Sequence, residues 1–275
     1  YTTLALWNPL QNWTRKNPAA FSLPAEPMCL GYKHARASVF TVLMLCMAGA
    51  ATAGELSPIL LTIDSVTSVT DVARYRLGQH LAEQGCQADI RFDRKVPMVA
   101  LMFRLSAQGS QETMVLSAKN RDGEWPPPAW ITRRTAGVRS VYELEARDLA
   151  TVAGEDPLAS ALHLAALGAS GVHPGPERLY ESGDFSSALG LLLHNNTHAA
   201  VSEAGFAGQF LESRDLVISW LGDPVKTVGW YRGDGWSDQA LACEEALSHL
   251  RRTDDKQAFA VFPEWVYGFA RTDDQ

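Results

Sequence analysis

Segments typical of strands and segments typical of helices alternate along the chain from residue 58 onward, and this alternation limits the possible folds most strongly. The run Pro58–Ile63 is apolar and predicts a buried strand. Ser68 and Asp71 then form a capping-box pattern, and Gly85 follows as a helix stop signal. Between them, apolar residues recur at the three- and four-residue spacing of a helix: Val69, Val72, Ala73, Leu77 and Leu81.

The rest of the chain continues the same alternation. An N-cap acid and a first-turn proline, Asp156 and Pro157, predict the start of one helix. Strands are predicted at 88–92, 113–117, 129–133, 149–153, 178–181, 198–202, 216–220 and 227–232, and helices at 96–105, 156–169, 184–193, 203–211 and 237–250. Strands and helices in this order, with short connections, predict an α/β fold with largely parallel sheets.

Two clusters of helix- and strand-breaking residues interrupt this alternation. The first is KNRDGEWPPP at 119–128, and the second is Gly-Asp-Pro at 222–224. Such clusters mark turns or crossings rather than regular structure. They therefore predict two lobes joined by crossing segments.

The N-terminal region has the three-part pattern of a secretory signal peptide at 28–53. A basic stretch around Lys33 precedes an uncharged run at 37–50, which ends in the small residues Ala51-Thr52-Ala53. The run is shorter than the roughly 20 residues needed to span a bilayer, which favours a cleaved signal over a transmembrane helix. Residues 1–27 are interpreted as an upstream extension, and export to the periplasm is expected.

The charge balance of the chain limits the kinds of partner it can bind, and its cysteines limit the kinds of metal or redox site it can form. The chain has 24 Lys plus Arg against 31 Asp plus Glu, a formal net charge of −7, which argues against nucleic acid or an anionic membrane surface as partner. There is no CxxC pair. After signal cleavage only Cys86 and Cys243 remain, and two buried thiols are favoured over a disulfide.

Sequence motifs of common enzymes are absent from the chain. It has no GxSxG, no Walker A motif and no GxGxxG. His194 and His198 are four residues apart as in a zinc helix, but Asn195, Asn196 and Thr197 separate them and the glutamate base is missing. No cofactor and no metal are expected. A secreted α/β hydrolase or metal-dependent enzyme using these histidines stays open as the alternative function.

The second half of the chain resembles a known family in several segments taken in order. The segments are VRSVYELEARDLATVAGEDPLASALHLAALGASGV at 138–172, GDFSSALGLLLHNNTHAAVSEAG at 183–205, DLVISWLGDPVKTVGWYR at 215–232 and GFARTDDQ at 268–275. In order and spacing they are similar to the periplasmic phosphate/phosphonate-type substrate-binding proteins of ABC importers. The resemblance covers residues 138–275.

This resemblance implies a two-lobed periplasmic-binding-protein-like fold of type II, with mixed sheets and interlobe crossings. Lobe 1 would contain 54–125 plus 221–275, and lobe 2 would contain 126–220. The implied function is that of a non-enzymatic binding protein that closes on a small solute by hinge motion. It would act as a monomer that delivers the solute to an ABC permease or reports it to a membrane sensor partner.

The resemblance also places candidate ligand-binding residues, and the chain departs from the family pattern at two of these places. The family has a Ser-Thr-Ser grip where this chain has Leu158, Ala159 and Ser160, so only Ser160 keeps a hydroxyl. Phe185 stands where the family has a cleft histidine. Both departures predict weak binding of phosphonates and a less charged or more apolar solute. The remaining candidates are Ser202, Glu203, Trp125, Trp130 and Arg134.

Five of these candidates have ordinary structural alternatives. Ser202 and Glu203 are equally compatible with a helix N-cap pair. Trp125 and Trp130 flank the first crossing, where hinge packing is favoured over a role in the pocket. Arg134 could meet an anion or be a solvated surface residue.

Overall fold

A computed structural model describes most of the chain after the predicted signal peptide, and the described residues belong to one compact unit. The described ranges are 57–92, 96–106 and 113–272. The predicted extension at 1–27 and signal peptide at 28–53 lie outside them. Within the described ranges, no helix has both the length and the apolar character needed to cross a bilayer.

Strands and helices follow one another much as the sequence pattern predicts. The strands are β1 (Ile59–Ile63), β2 (Ala88–Arg91), β3 (Leu101–Arg104), β4 (Met114–Lys119), β5 (Pro128–Arg133), β6 (Leu149–Val152), β7 (Leu179–Ser182), β8 (Ala199–Glu203), β9 (Leu216–Leu221), β10 (Gly229–Arg232) and β11 (Gly268–Arg271). The helices are α1 (Asp71–Glu83), α2 (Ala161–Ala169), α3 (Phe185–Leu193), α4 (Ala204–Leu211) and α5 (Leu241–His249).

The strands form two mixed sheets, one in each of two lobes. The order is β11-β4-β10-β3-β1-β2 in lobe 1 and β7-β6-β8-β5-β9 in lobe 2. Strand β10 is antiparallel to both β3 and β4, and β5 is antiparallel to both β8 and β9. The sheets are therefore mixed rather than largely parallel. The expected α/β architecture of two lobes with mixed sheets and interlobe crossings is confirmed.

The two crossing segments run side by side between the lobes. One leads from β4 to β5, and the other returns from β9 to β10. The amide of Gly222 donates to the carbonyl of Pro128 at 2.9 Å, and the amide of Val225 donates to that of Pro126 at 3.0 Å. The proline- and glycine-rich clusters seen in the sequence thus form a hydrogen-bonded pair of connections.

The helix predicted at 96–105 is wrong, because this segment forms strand β3. Leu101 and Phe103 are buried on the sheet, and their neighbour Met102 is buried as well. Strand β3 is paired at both edges, with β1 and β10, and its successive residues point to opposite faces, so the burial of all three shows that both faces are covered. A strand buried on both faces has a continuous apolar sequence, and such a run lacks the alternation that separates a strand from a helix.

The start of α1 also differs from the capping-box prediction. The helix begins at Asp71, and its N-cap residue is Thr70, whose side chain makes no capping hydrogen bond. Ser68 lies upstream of the helix. At the other end of α1, Gly85 has a φ of 85°, the left-handed conformation typical of a helix stop.

The preference for two free cysteines is wrong, because Cys86 and Cys243 form a disulfide. Their Cα atoms are 4.8 Å apart, although 157 residues separate them in sequence. Cys86 follows α1, and Cys243 lies in α5, which packs against α1. The pairing arises from this helix packing, which the sequence spacing does not reveal.

Aromatic side chains fill the core of lobe 1. Phe103 contacts Phe262 edge-on at a ring-centroid distance of 4.7 Å and Trp230 at 5.7 Å. Phe269 lies 5.4 Å from Phe262, and Phe259 lies 5.5 Å from it. These rings come from β3, β10, β11 and the segment before it, so they tie both halves of lobe 1 together.

Candidate functional site in the interlobe cleft

The cleft between the lobes lies beyond the carboxyl ends of β1, β6 and β7. A cavity of about 40 Å³ lies there. Its wall comes from both lobes: Val66, Pro263 and Glu264 from lobe 1, and Val152, Ala153, Asp156, Gly183, Asp184 and Phe185 from lobe 2. In α/β sheets, ligands bind beyond the carboxyl ends of strands, so this is the candidate solute site. At this volume the lobes must part before a solute can enter.

The start of α3 forms one wall of the cavity and already holds a carboxylate. Asp184 is the N-cap, and its Oδ1 accepts from the amide of Ser187 at 2.7 Å. The amide of Ser186 donates to Oε2 of Glu264 at 2.9 Å, and the Ser186 hydroxyl donates to Oε1 at 2.6 Å. A lobe 1 carboxylate therefore occupies the positive end of a lobe 2 helix.

Arg252 shapes the turn that carries Glu264. Its guanidinium donates to the carbonyls of Pro263 and Val266, each at 2.6 Å. Burial lowers the pKa of Arg252 to about 10, while the negative charge of Glu264 acts in the opposite direction. The guanidinium thus binds carbonyls on both sides of Glu264 and holds this turn in its conformation.

Asp156 makes the second contact across the cleft. Its Oδ2 accepts from the indole Nε1 of Trp265 at 2.7 Å, and its Oδ1 accepts from the amide of Leu158 at 2.9 Å. Burial raises the pKa of Asp156 to about 6, against these two hydrogen bonds, and the charge of Glu203 raises it further. A buried carboxylate in this position disfavours a second negative charge nearby.

The segment that matches the family's Ser-Thr-Ser grip does not face the cavity. Asp156 starts a turn rather than the predicted helix, and α2 begins only at Ala161. Leu158 and Ala159 are fully buried in the hydrophobic core. Ser160 is the N-cap residue of α2, but its side chain makes no capping hydrogen bond, and it is not part of the cavity wall.

Phe185 is the sequence-predicted candidate that the structure places on the cavity wall. It is the first residue of α3 and is 3% exposed. Its ring packs against Phe206 at a centroid distance of 6.1 Å. Phe185 therefore gives the cavity an apolar wall and at the same time anchors α3 on the lobe 2 core.

Ser202 and Glu203 are fully buried at the end of β8, beside the crossings. Glu203 is the N-cap of α4 and accepts from the amides of Gly205 at 3.0 Å and Phe206 at 2.6 Å. It also accepts from Nδ2 of Asn120 in the first crossing at 3.0 Å. Burial raises the pKa of Glu203, and these hydrogen bonds act in the opposite direction. Both residues thus link the end of β8 to its neighbours rather than line the cavity.

The two tryptophan candidates occupy different environments. Trp125 lies in the first crossing, with the ammonium groups of Lys119 and Lys226 over its ring at 4.2 and 4.1 Å. Trp130 is fully buried in lobe 2, where its Nε1 donates to the carbonyl of His163 at 3.3 Å. Neither ring is part of the cavity wall.

Arg134 lies at the far end of β5 from the crossings. Its Nε donates to Oδ1 of Asp215 at 2.8 Å, and both side chains are well exposed. Strand β5 begins at Pro128 beside the crossings and runs away from the cleft. The arginine that was a candidate anion ligand is therefore in a surface ion pair on the opposite edge of the sheet.

The histidine pair of the alternative function is split between two elements. His194 is the C-cap of α3, and Nδ1 of His198 accepts from the amide of Asp148 at 3.2 Å. Within the described part of the chain, no three His, Cys, Asp or Glu side chains are grouped so that they could hold a metal ion.

The sequence analysis missed the cleft residues Glu264 and Trp265. Their partners, Ser186 and Asp156, are 78 and 109 residues away in sequence. A local signal existed only for the lobe 2 side, where Asp184 marks the start of α3. The lobe 1 side has no turn or capping motif that singles it out.

Solved structures with folds similar to that of this chain include a component of an ABC transporter and ligand-bound proteins. A binding-protein component of an ABC phosphonate transporter from Pseudomonas aeruginosa gives a TM-score of 0.52 at 13% identity, over 78% of this chain and 82% of that one. PhnD1 from Prochlorococcus marinus in complex with methylphosphonate gives 0.51 at 13%, over 78% and 92%. A protein from Xanthomonas citri bound to ATP gives 0.52 at 14%, over 78% and 90%.

No protein-family model and no curated protein matches the sequence. At identities of 13–14%, the structural likeness shows the fold alone. The chain has the fold of a periplasmic binding protein.

Proposed function

We propose that this chain is the periplasmic solute-binding protein of an ABC importer and binds a small solute in the interlobe cleft. The observation that carries the proposal is a cavity beyond the strand ends whose wall comes from both lobes. Two hydrogen-bonded crossings also connect the lobes. Crossings of this kind are the natural hinge for closure around a solute. The lobe boundaries that go with this function are 54–125 plus 221–275 for lobe 1 and 126–220 for lobe 2.

The solute is a neutral or singly charged organic molecule rather than a phosphonate. Three carboxylates line the cavity, those of Asp156, Asp184 and Glu264, and among the described residues of its wall there is no lysine or arginine. A phosphonate dianion would lie beside like charges without a compensating cation, which costs several kcal/mol. Phe185 and the two valines of the wall favour an apolar portion of the ligand.

A thermal-shift panel on the mature protein tests this proposal. The panel contains inorganic phosphate, methylphosphonate, small monocarboxylates and neutral organic solutes. A ligand at a hundred times its dissociation constant stabilises the folded state by about 2.7 kcal/mol, which gives a clear shift. We expect a shift with a neutral or monoanionic solute and none with phosphate or methylphosphonate.

Substitutions test whether a solute that gives a thermal shift binds in the interlobe cavity. Phe185→Ala is expected to weaken the response to the active solute, and Arg134→Ala, on the far edge of lobe 2, is expected to leave it unchanged. A strong shift with methylphosphonate that Ser160→Ala abolishes would contradict the proposed solute class. Catalytic turnover of a panel compound would favour the alternative of a secreted hydrolase.

Export to the periplasm belongs to the same proposal. The Cys86–Cys243 disulfide supports it, because such bonds persist in oxidising compartments. The partner there is an ABC permease or a membrane sensor, and the protein acts as a monomer. Intact-mass analysis of periplasmic material is expected to give a chain that begins at Gly54; retention of residues 37–53 in the membrane would contradict it.

A further inference from the structure

A second cavity lies in lobe 1, beside the start of the first crossing, and its charge is opposite to that of the interlobe cavity. Its volume is about 320 Å³, and its wall comes from the end of β4, the turn that follows, the segment after α5 and the start of β11. Lys119, Arg121 and Arg251 all lie on this wall, and among its described residues there is no aspartate or glutamate. In a chain with a net charge of −7, three cations around one cavity create a local positive potential.

The guanidinium of Arg251 is held in place through one of its nitrogens only. Nη1 donates to the carbonyls of Ser248 at 2.7 Å and Leu250 at 2.9 Å. The side chain lies so close to Gly268 that a Cβ on this glycine would be 2.9 Å from Cδ of Arg251. Nε and Nη2 have no hydrogen-bond partner among the residues that the structure describes. These two donors form one edge of the planar group, and such an edge binds two oxygens of a phosphate group.

Lys119 and Arg121 flank a buried asparagine that fixes the turn between them. Oδ1 of Asn120 accepts from the amide of Asp122 at 3.0 Å. Nη1 of Arg121 donates to Oε1 of Gln209 at 3.2 Å, a neutral partner that leaves the arginine charge uncompensated. Within the described ranges, none of the three cations of the wall forms an ion pair within 4.0 Å. Their charge is therefore available to a ligand.

Lys119 also lies close to a fourth cation. Its ammonium group is 4.2 Å from the ring centre of Trp125, and that of Lys226 is 4.1 Å from the same centre. Burial lowers the pKa of Lys119, the charge of Glu124 acts in the opposite direction, and the charge of Lys226 lowers it further. An anion in the cavity would offset both the burial of this ammonium group and its repulsion by Lys226.

We propose that this cavity is a second ligand site, separate from the interlobe cavity, and that it binds a small polyanion made of linked phosphate groups. The free edge of Arg251 matches the oxygens of one phosphate group, and Lys119 and Arg121 supply positive charge for the others. Inorganic phosphate is a single group, so it contacts fewer of the cations and binds more weakly, in line with the absence of a shift expected for it in the solute panel. The inference does not depend on the proposed function, because the two cavities share no wall residue among those described.

The test is a calorimetric titration of the full mature chain with inorganic tripolyphosphate. A metal-free buffer near physiological ionic strength screens non-specific attraction. The wild type is compared with Lys119→Gln, Arg121→Gln and Arg251→Gln, each of which removes one cation of the wall. Arg251→Lys keeps the charge but lacks the edge with two donors. The matched control is Arg134→Gln, which removes the same charge from an exposed position at the far edge of lobe 2.

We expect one tripolyphosphate to bind per wild-type chain, and inorganic phosphate to bind at least about tenfold more weakly. Each glutamine variant of the wall should bind tripolyphosphate about tenfold more weakly than the wild type or worse, because it loses charge-assisted hydrogen bonds. Arg251→Lys should fall between the wild type and Arg251→Gln, and Arg134→Gln should bind as the wild type does. Circular dichroism and thermal unfolding identify the variants that are folded, and only these are compared.

Absence of saturable tripolyphosphate binding to the wild type would overturn the proposal. Equal affinities in the wild type and in the folded variants of the wall would overturn it too, because the polyanion would then bind elsewhere. An equal loss in Arg134→Gln would show attraction to the overall charge of the chain instead of a site. Phe185→Ala alters the interlobe cavity and should leave tripolyphosphate binding unchanged; a tenfold loss would place the polyanion in the cleft and contradict a second site. The solute panel can fail or succeed independently of this titration.

Discussion

The two lobes share one strand order and are stabilised by different interactions. Five strands of lobe 1 run β2-β1-β3-β10-β4, with β11 added beyond β4, and the strands of lobe 2 run β7-β6-β8-β5-β9. The fourth strand of each series is antiparallel to both neighbours. That fourth strand comes directly from a crossing in both cases. The difference therefore lies in the side chains that fill each lobe and not in the topology.

Lobe 1 is held by a disulfide and by packed aromatic rings. Cys86 and Cys243 join the end of α1 to α5, and the rings around Phe103 join β3 to β10 and β11. Neither interaction changes charge between pH 4 and 7. Lobe 1 should therefore respond to reduction much more than to acid.

Lobe 2 has no cysteine between residues 126 and 220, and several of its acidic and histidine side chains are buried. His163, Glu203 and Asp156 are each at most 5% exposed. Burial of such groups shifts their pKa values away from those in the unfolded chain, and each shift makes stability depend on pH. The comparison teaches that lobes of similar topology can differ in what their stability depends on, which is reduction in lobe 1 and pH in lobe 2.

Removal of the disulfide is the largest expected effect. The bond closes a loop of 157 residues that includes all of lobe 2. By the chain-entropy relation, Cys86→Ala with Cys243→Ala should lower the free energy of unfolding by about 5 kcal/mol. Urea unfolding measures this loss. Hydrogen exchange should show that α1 and α5 lose protection before α3 does.

Reduction of the wild type provides the matched control. The reduced wild type should unfold at the same urea concentration as the double variant, and reductant should leave the variant itself unchanged. If protection were lost mainly in α3 and β6, the disulfide would not be the main stabiliser of lobe 1 and the contrast between the lobes would fail.

His163 is expected to make lobe 2 less stable in acid, because it is buried and neutral in the folded protein. Burial lowers its pKa from 6.5 to about 4, although its Nε2 contacts the carbonyls of Ala129 and Ser202. Between these values the unfolded chain binds a proton that the folded chain does not, so the free energy of unfolding falls as pH falls from 6.5 to 4. The size is roughly 3 kcal/mol at 1.36 kcal/mol per unit.

The variant His163→Gln keeps a donor near the two carbonyls and removes the titration. Urea unfolding at several pH values should show that it loses less stability than the wild type between pH 6.5 and 4. An unchanged difference between the two proteins over this range would contradict the role given to His163.

Asp156 is expected to act in the opposite direction in the same pH range. Its pKa is raised from 3.8 to about 6, mainly by burial. As pH rises between these values the unfolded chain releases a proton that the folded chain keeps, so the free energy of unfolding falls with rising pH, by roughly 3 kcal/mol. Asp156→Asn should remove this fall, which urea unfolding at pH 4 and pH 7 measures.

His163 and Asp156 make opposite contributions to the pH dependence of stability, and this predicts how the wild type differs from each single variant. In the wild type they offset each other, so its pH profile should be flatter than that of either single variant. The difference between Asp156→Asn and the wild type must grow with pH. A difference that stays constant would mean that only the Trp265 hydrogen bond was altered.

Much of the fold followed from local sequence signals because those signals act over a few residues. The helix predicted at 184–193 is α3, and the clusters at 119–128 and 222–224 predicted the crossings. The helix prediction at 96–105 was wrong because the conformation of this segment is set by its pairing with two neighbouring strands. A continuous apolar run does not distinguish such a strand from a buried helix.

The site was less predictable, because its two halves come from distant parts of the chain. The sequence predicted a helix start at Asp156 and a helix at 184–193 but gave no reason to pair these segments with Trp265 or Glu264. The disulfide was equally hidden, since 157 residues separate its cysteines. Long-range pairs depend on the packing of complete lobes. A single sequence shows local signals such as turns and helix ends, but it does not show which distant residue each of them contacts.

The smallest expected effect concerns the edge of lobe 2 opposite the cleft. The Arg134–Asp215 ion pair is exposed, with 63% and 59% of the two side chains accessible. Because water and salt screen such pairs, Arg134→Ala should lower the free energy of unfolding by less than about 1 kcal/mol, and the difference should vanish in high salt. Urea unfolding at low and high salt measures it. A loss of stability that persists in high salt would contradict this contribution from a screened surface pair.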